Sequence, residues 1–508
     1  MNEYKLIGLL LLVVFMISCK TKLQEKTYQT PNIILVMTDD QGYGDISAHN
    51  SPDVLTPNMD KLKSQAISLD DFQASPTCTP TRSAIMTARA PFKNGITHTI
   101  LERERMTLNA ITLPQVLKKV EYTSGIFGKW HLGDETEYQP ENRGFDEVFI
   151  HGAGGIGQAY PGSCADVPGN SYFNPTIKHN GVFVKTEGFC TDVFFTQAMS
   201  WIQEKSKQDK PFFAYITTNA PHGPFLAPEK YKKKFKKKDY SENAQGFYGM
   251  VENIDENLGY LMQKIEELGI ANNTVLIFMS DNGKTGAGSR TNGKAYNAGM
   301  KGFKGSLNEG GSRVPFFIRW PEKFKAGRVV DAMQNHYDIF PTLADIAKID
   351  ISDIPAIDGV SFLPILEDES FKGEDRYRFF HLGRWPLNPD NVGEVEIEEH
   401  WVGTPESSNP DNYKYKNYAI RNEQYRFVNN SELYDLYNDP GESKNVAEKH
   451  PEIVEQMKNA YDRWWSEVRP LMVNETVPLL EERPFWIDFE KQKTSTGIQL
   501  LSATEKVK

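Results

Sequence analysis

Three stretches of the chain are apolar at nearly every position: Asn32–Thr38 (NIILVMT), Phe212–Thr217 (FFAYIT) and Thr274–Ser280 (TVLIFMS). A strand with one wet face alternates apolar and polar residues. Unbroken runs of this length, β-branched at several positions, therefore predict strands buried on both faces of a parallel sheet. Between them the spacing becomes helical over Pro57–Ala66, Leu113–Val120, Val193–Glu204 and the long Ala244–Leu268, the last with its apolar residues on one stripe. Strands alternating with helices predict an α/β fold built on a large, doubly wound, mainly parallel sheet.

From about Ser370 the texture changes. Short aromatic runs at Tyr377–His381, Tyr418–Arg421 and Tyr425–Val428, with a hairpin connection at Asn422–Gln424 and a helix over Glu452–Val468, predict a smaller C-terminal α+β domain with an antiparallel sheet. The expected division is a catalytic domain over 31–370 and this subdomain over 371–490. Asn388–Asn412 is expected as a surface loop and 491–508 as a disordered tail.

The first residues set the compartment. Leu6–Ile17 is apolar apart from Gly8, too short to span a bilayer and suited to the core of a signal peptide. Met16-Ile17-Ser18-Cys19 follows the pattern of a bacterial lipobox, which makes 1–18 a lipoprotein signal, Cys19 the lipidated end of the mature chain and 19–30 a polar tether. The protein is then expected in the bacterial cell envelope, anchored by lipid to a membrane. A net charge of −11 over 508 residues argues against a nucleic-acid partner, and 39% hydrophobic with 12% aromatic residues excludes a mainly disordered chain.

Of the three remaining cysteines, Cys164 and Cys190 are expected to form a disulfide in an oxidising envelope, with two buried thiols as the alternative. Cys78 is left without a partner. The chemistry-bearing residues gather at two strand ends, Thr38-Asp39-Asp40 and Ser280-Asp281-Asn282. Sites in open α/β sheets form beyond the carboxyl ends of the strands, so these side chains would converge. Three carboxylates that close repel unless a cation lies between them, and an all-oxygen set without His favours Ca²⁺ over zinc. Pro80 and the apolar spacing after it predict a helix beginning at Cys78 or Thr79, whose N-terminus favours an anion.

Cys78-Thr79-Pro80-Thr81-Arg82 followed by Met86-Thr87-Ala88-Arg89 resembles the signature of the type I, formylglycine-dependent sulfatases, Cys-x-Pro-Ser-Arg with Leu-Thr-Gly-Arg after it. Thr38–Asp45, Gly128-Lys129-Trp130-His131-Leu132-Gly133, Ala220-Pro221-His222, Lys304–Gly311 and Glu432–Leu436 with Asp439-Pro440 resemble five further motifs of that family, in the family's order, from about Pro31 to about Pro470. Thr81, Met86 and Ala88 depart from the usual Ser, Leu and Gly, and Ser306-Leu307-Asn308 departs where a pocket wall is expected.

The resemblance implies an alkaline-phosphatase-like fold and sulfate ester hydrolysis on a sulfated polysaccharide or its oligosaccharides. A sulfatase-maturing enzyme would convert Cys78 to formylglycine. One Ca²⁺ would be held by Asp39, Asp40, Asp281 and Asn282 together with residue 78. Arg82 would hold the nucleophile, Lys129 and Lys304 would neutralise sulfuryl charge, His222 would protonate the leaving alcohol, and His131 would take the proton that releases sulfate. Gly95–Met106, with Arg103 and Arg105, and His151–Tyr160 are expected to line the pocket. Lys301, His98 and His151 read as structural, and the lysine run in Tyr231–Lys238 as a solvated helix face that could instead attract a polyanion. A phosphomonoesterase or phosphodiesterase of the same superfamily, and an inactive glycan-binding lipoprotein, are the alternative readings.

Overall fold

The computed structural model describes residues 30–99, 104–159, 163–236, 239–288, 295–383, 410–472 and 483–501. The signal, Cys19 and the tether up to residue 29 lie outside them, as do Arg103, Lys237, Lys238 and residues 388–409 of the expected loop. Among the described residues no helix is long and apolar enough to cross a membrane.

The three apolar runs are the middle of an eleven-stranded sheet. Asn32–Thr38 pairs in parallel with Thr274–Ser280 on one side and Phe212–Thr217 on the other, and Thr123–Lys129 and Glu147–His151 continue the parallel set. Alternation within one run shows why no position from Ile33 to Met37 is polar: Ile33, Leu35 and Met37 pack into one core, Ile34 and Val36 into another on the opposite face. Helices cover both faces. Cys190–Lys205 and Glu242–Glu267 bury their stripes in the second core, and Ile339–Ile346 lies in the first. Antiparallel strands close the flanks, among them Phe316–Arg319 beside Thr274–Ser280.

The C-terminal sheet is antiparallel, in the order Arg378–His381, Tyr418–Arg421, Tyr425–Val428, Glu432–Asp435. Its hairpin turns at Asn422, whose N–H donates to Tyr425 O at 3.0 Å. The helix Pro451–Val468 lays Tyr461, Trp464 and Trp465 on one face, against Tyr418, Ile420 and Phe427.

Two expectations are corrected. Cys164 and Cys190 are free and buried rather than bonded, and the Cys190 thiol donates to Asn219 Oδ1 at 3.4 Å. The segment expected as a disordered tail carries the end of a helix, Pro484–Ser495, and a strand, Gln499–Leu500, that pairs with Val182–Lys185 at the edge of the main sheet. Phe485 and Phe489 anchor that helix against Phe183, a three-ring contact too sparse to read as a periodic pattern. Where the sequence departs at Ser306-Leu307-Asn308, Leu307 packs with Phe380 and Tyr434, and Asn308 donates to Glu442.

Candidate active site

The parallel register sets Thr38 opposite Ser280, so the residues that follow leave the sheet side by side. The Asp40 N–H donates to Asp281 Oδ1 at 3.2 Å, and Asn282 Nδ2 donates to Asp40 Oδ1 at 2.9 Å. Asp40 lies at φ 70°, a left-handed conformation uncommon outside glycine and concentrated at functional sites.

Cys78 opens the helix Cys78–Thr87, every residue of which is buried. The Thr81 hydroxyl accepts the Ser75 N–H at 2.9 Å, pinning the approach to the helix, a bond that the Thr for Ser departure preserves. The helix brings Cys78 Sγ to the carboxylates: one ligand atom each from Asp39, Cys78 and Asp281 lies within 4.8 Å of the other two. One turn on, Arg82 gives its Nε and Nη2 to Asp281 Oδ2 at 3.1 and 2.6 Å, and its Nη1 to Lys129 O and Thr217 Oγ1.

The basic residues arrive from three further strands and loops. Lys129 ends its strand with Nζ 2.8 Å from Asp39 Oδ2. The preceding Gly128, at φ 128°, runs so close to Thr217 that a Cβ would meet its carbonyl oxygen at 1.8 Å. Lys304 reaches Asp40 Oδ1 at 2.7 Å from a loop tied back to the nucleophile segment by Gly305 N–H to Pro76 O. His222 Nε2 stands 3.9 Å from Asp40 Oδ2, and its Nδ1 is 2.8 Å from Gly223 O. His131 Nδ1 is 3.7 Å from Cys78 Sγ and 3.0 Å from Thr79 Oγ1. All ten residues singled out from the sequence therefore meet in one place.

The electrostatics follow from burial. Asp39 is pushed well above the usual carboxylate range by burial and by Asp281, more than Lys129 draws it down. Asp40 is buried too, but Lys304 and His222 hold its carboxyl below that range. Burial carries His131 down to about 4, against the pull of Glu104, and burial with Lys304 carries His222 down to about 3. Both imidazoles are neutral near pH 7 in this arrangement. Asp39 Oδ1 and Asn282 Oδ1 are buried and have no hydrogen-bond partner among the described residues. Two such oxygens beside a carboxylate triad fit a hard cation taking oxygen ligands.

Two residues at the site, Glu104 and His151, lie in the segments expected to line the pocket but were given no role there. Glu104 is buried with Oε2 2.7 Å from His131 Nε2. In sequence it sits in a run of alternating charges, Glu102–Arg105, which carries no signal of burial. His151, read as structural, ends the strand next to Lys129 and is fully buried. Neither of its ring nitrogens has a hydrogen-bond partner among the described residues, and burial with Lys129 and Arg82 keeps it uncharged. The loop after it does border the site: a Cβ on Gly154 would come within 2.7 Å of His131, and one on Gly155 within 3.1 Å of His222. Arg105 points elsewhere, into a 2.6 Å pair with Glu135. Lys301 pairs with the Tyr434 hydroxyl, and the described part of the lysine run is a helix, Glu229–Lys236, whose Lys230, Lys234 and Lys236 pair with glutamates.

Residues 31–349 match the family described as Sulfatase, and residues 303–466 match the family described as N-sulphoglucosamine sulphohydrolase, C-terminal. The chain is 31% identical over 378 residues to N-acetylgalactosamine-6-sulfatase of Mus musculus, covering 70% of this chain and 69% of that one. It is 26% identical over 523 residues to N-acetylgalactosamine-6-O-sulfatase of Bacteroides thetaiotaomicron, covering 90% and 98%. The crystal structure of Ps i-CgsB in complex with k-i-k-neocarrahexaose superposes with a TM-score of 0.73 at 25% identity, over 92% of this chain and 98% of that chain.

Proposed function

This chain belongs to the sulfatase family and is a sulfuric ester hydrolase, and we propose that it removes sulfate from a sulfated polysaccharide or its oligosaccharides, using a formylglycine made from Cys78 and one bound Ca²⁺. The observation that carries the reading is the pair of partnerless buried oxygens on Asp39 and Asn282, set against Cys78 and Asp281. Asp39, Asp40, Asp281, Asn282 and residue 78 would hold the ion. When present, the two groups supply an acidified oxygen nucleophile that can be regenerated after sulfate leaves.

The chain's own residues do the rest. Arg82 spends its guanidinium on Asp281, Thr217 and the Lys129 carbonyl, so it fixes the nucleophile helix, a metal-binding carboxylate and the Lys129 strand end as one body. Lys129 and Lys304 place ammonium groups within 2.8 Å of the central carboxylates, where charge on sulfuryl oxygens would be met by preorganised positive ends. His222 donates the proton to the departing alcohol. Its Nδ1–H is held by Gly223 O, which leaves Nε2 as the working atom, and the negative charge of a sulfate ester shifts it upward from its substrate-free value of about 3. His131, neutral and facing residue 78 through Nδ1, accepts the proton that frees sulfate. A polysaccharide substrate is supported by the relatives that act on N-acetylgalactosamine 6-sulfate and by the neighbour solved with a neocarrahexaose. Partners of this reading are a sulfatase-maturing enzyme acting on Cys78 and a lipid anchor at Cys19 that places the enzyme in a bacterial envelope.

Mass spectrometry of the residue-78 peptide tests the core of the proposal. Active protein should carry formylglycine there, and Cys78→Ser should lose several orders of magnitude in turnover. Active protein with unmodified cysteine would overturn it. His222→Ala should slow sugar sulfates, which leave poorly, far more than activated aryl sulfates.

A further inference from the structure

His131 has two ring nitrogens, and the structure supplies them with different neighbours. Closest to Nε2 stand two groups that only accept, Glu104 Oε2 at 2.7 Å and the Thr99 carbonyl at 3.1 Å, with the Thr79 hydroxyl, which can accept or donate, farther off at 3.3 Å. Around Nδ1 stand two that can donate: the Thr79 hydroxyl at 3.0 Å and the Cys78 thiol at 3.7 Å. A neutral imidazole carries one proton, and this environment places it on Nε2, leaving the Nδ1 lone pair toward residue 78. The Glu104 carboxylate is itself fixed, because its other oxygen accepts the N–H of Cys164. Its side chain is only 1% exposed, so its charge acts on His131 with little screening.

We propose that Glu104 is a positioning residue for the sulfatase reaction: it holds His131 in the Nε2-protonated form, aims Nδ1 at residue 78, and stabilises the imidazolium once Nδ1 has taken its proton. The arrangement is a carboxylate, an imidazole and a nucleophilic position in line, the logic by which a buried acid orients a catalytic histidine. Because the same carboxylate binds the Cys164 N–H, it also ties His131 to the segment that carries Cys164, while Gly154 abuts the ring. The proposal rests on the assignment of His131 as the base under Proposed function, while its claim about the proton's position does not.

The test has two readouts on the full chain. In protein labelled with ¹⁵N-histidine, the resonance assigned by its loss in His131→Asn should show a protonated Nε2 and an unprotonated Nδ1, with the Nε2 proton far downfield. In Glu104→Gln the downfield position should be lost. With an aryl sulfate, Glu104→Gln should lower kcat about 10- to 100-fold, the loss typical when the partner behind a working histidine is removed, with KM within about two-fold. Glu104→Asp should recover part of that loss. A proton on Nδ1 in the parent protein overturns the proposal. So does an unchanged kcat in Glu104→Gln, or a rise in KM at constant kcat, which would make Glu104 a loop anchor alone. Unmodified cysteine at residue 78 in active protein would sink the formylglycine reading and leave the Nε2 result standing.

Discussion

Among the buried acids of the described residues, two clusters are balanced in opposite ways. In one, Glu309 Oε1 takes Arg421 Nε at 2.7 Å and Arg426 Nη2 at 2.6 Å, while Asp71 takes Arg421 Nη2 at 2.7 Å and Gln73 Nε2 at 2.8 Å. In the other, three cations already stand among Asp39, Asp40 and Asp281, yet Asp39 Oδ1 and Asn282 Oδ1 stay without a partner among the described residues. The protonation tendencies diverge accordingly. Burial disfavours the charge on both acids, but Arg421 and Arg426 hold Glu309 well below the carboxylate range, whereas burial and Asp281 leave Asp39 well above it. A buried charge network whose acid oxygens are all taken is a structural tie, even with Arg426 Nε left 3.6 Å from Glu442, and here it clamps the C-terminal sheet to the strand and turn that carry Asp71 and Gln73. One that leaves oxygens over is built for something it does not itself contain.

The sharpest way to break that contrast is Asp39→Asn. Turnover should fall at least about 1000-fold, because the metal-binding set loses a charge at the point where transition-state charge is met. The melting temperature of calcium-free protein should hold or rise, and the increase that calcium gives the parent should disappear. A drop in calcium-free stability with the calcium response intact would put Asp39 in the structural class with Glu309.

Glu309→Gln is the converse. Removing one member of a buried ion network leaves Arg421 with Asp71 alone and Arg426 with the more distant Glu442, at a cost of about 3–5 kcal/mol. Chemical denaturation should show that loss, and calcium should still raise the melting temperature of the variant. A cost below about 1 kcal/mol, or loss of the calcium response, would erase the distinction between the clusters.

The two clusters also differed in how legible they were. The strand-end acids stand directly after two of the apolar runs that mark the sheet, so the sheet pattern alone placed them together, and the parallel register of Thr38 with Ser280 bears that out. The strands of the C-terminal sheet were readable at Tyr418–Arg421 and Tyr425–Val428 from aromatic alternation. What those strands do with Arg421 and Arg426 was not. Their partners Asp71, Gln73 and Glu309 lie more than a hundred residues away, and a charged residue in a short strand reads as solvent-facing. Glu104 was hidden because it sits in a run of alternating charges that reads as solvent-facing. The tail helix was missed because only Phe485 and Phe489 of its residues are buried, too few to set a period. The disulfide expectation weighed compartment and sequence separation, whereas Cys164 sits beside Glu104 and Cys190 beside Asn219.

The smallest effect, and the one that probes both clusters in a single experiment, is the pH dependence of calcium-free stability. Glu309 has a folded-state value below its unfolded one near 4.5, so its contribution is complete above that pH and is lost as pH falls through the folded value. Asp39 has a folded-state value above its unfolded one near 3.8, so its contribution is complete below that pH and is lost as pH rises through the folded value. His131 and His222, lowered to about 4 and about 3, add a third slope, because the unfolded chain takes protons near pH 6.5 that the folded site refuses until far lower. The total curve therefore mixes signs, and the informative quantity is the stability difference between the parent and each variant. Parent minus Asp39→Asn should fall as pH rises from acid toward neutral, by at most about 1.4 kcal/mol per pH unit. Parent minus Glu309→Gln should instead rise as pH climbs through the acid range toward 4.5. Calcium should flatten the first difference and leave the second as it was, since only one of the two clusters would gain a ligand. Slopes of the same sign would mean that both acids answer to burial alone, and that the difference in their partners carries no energetic weight.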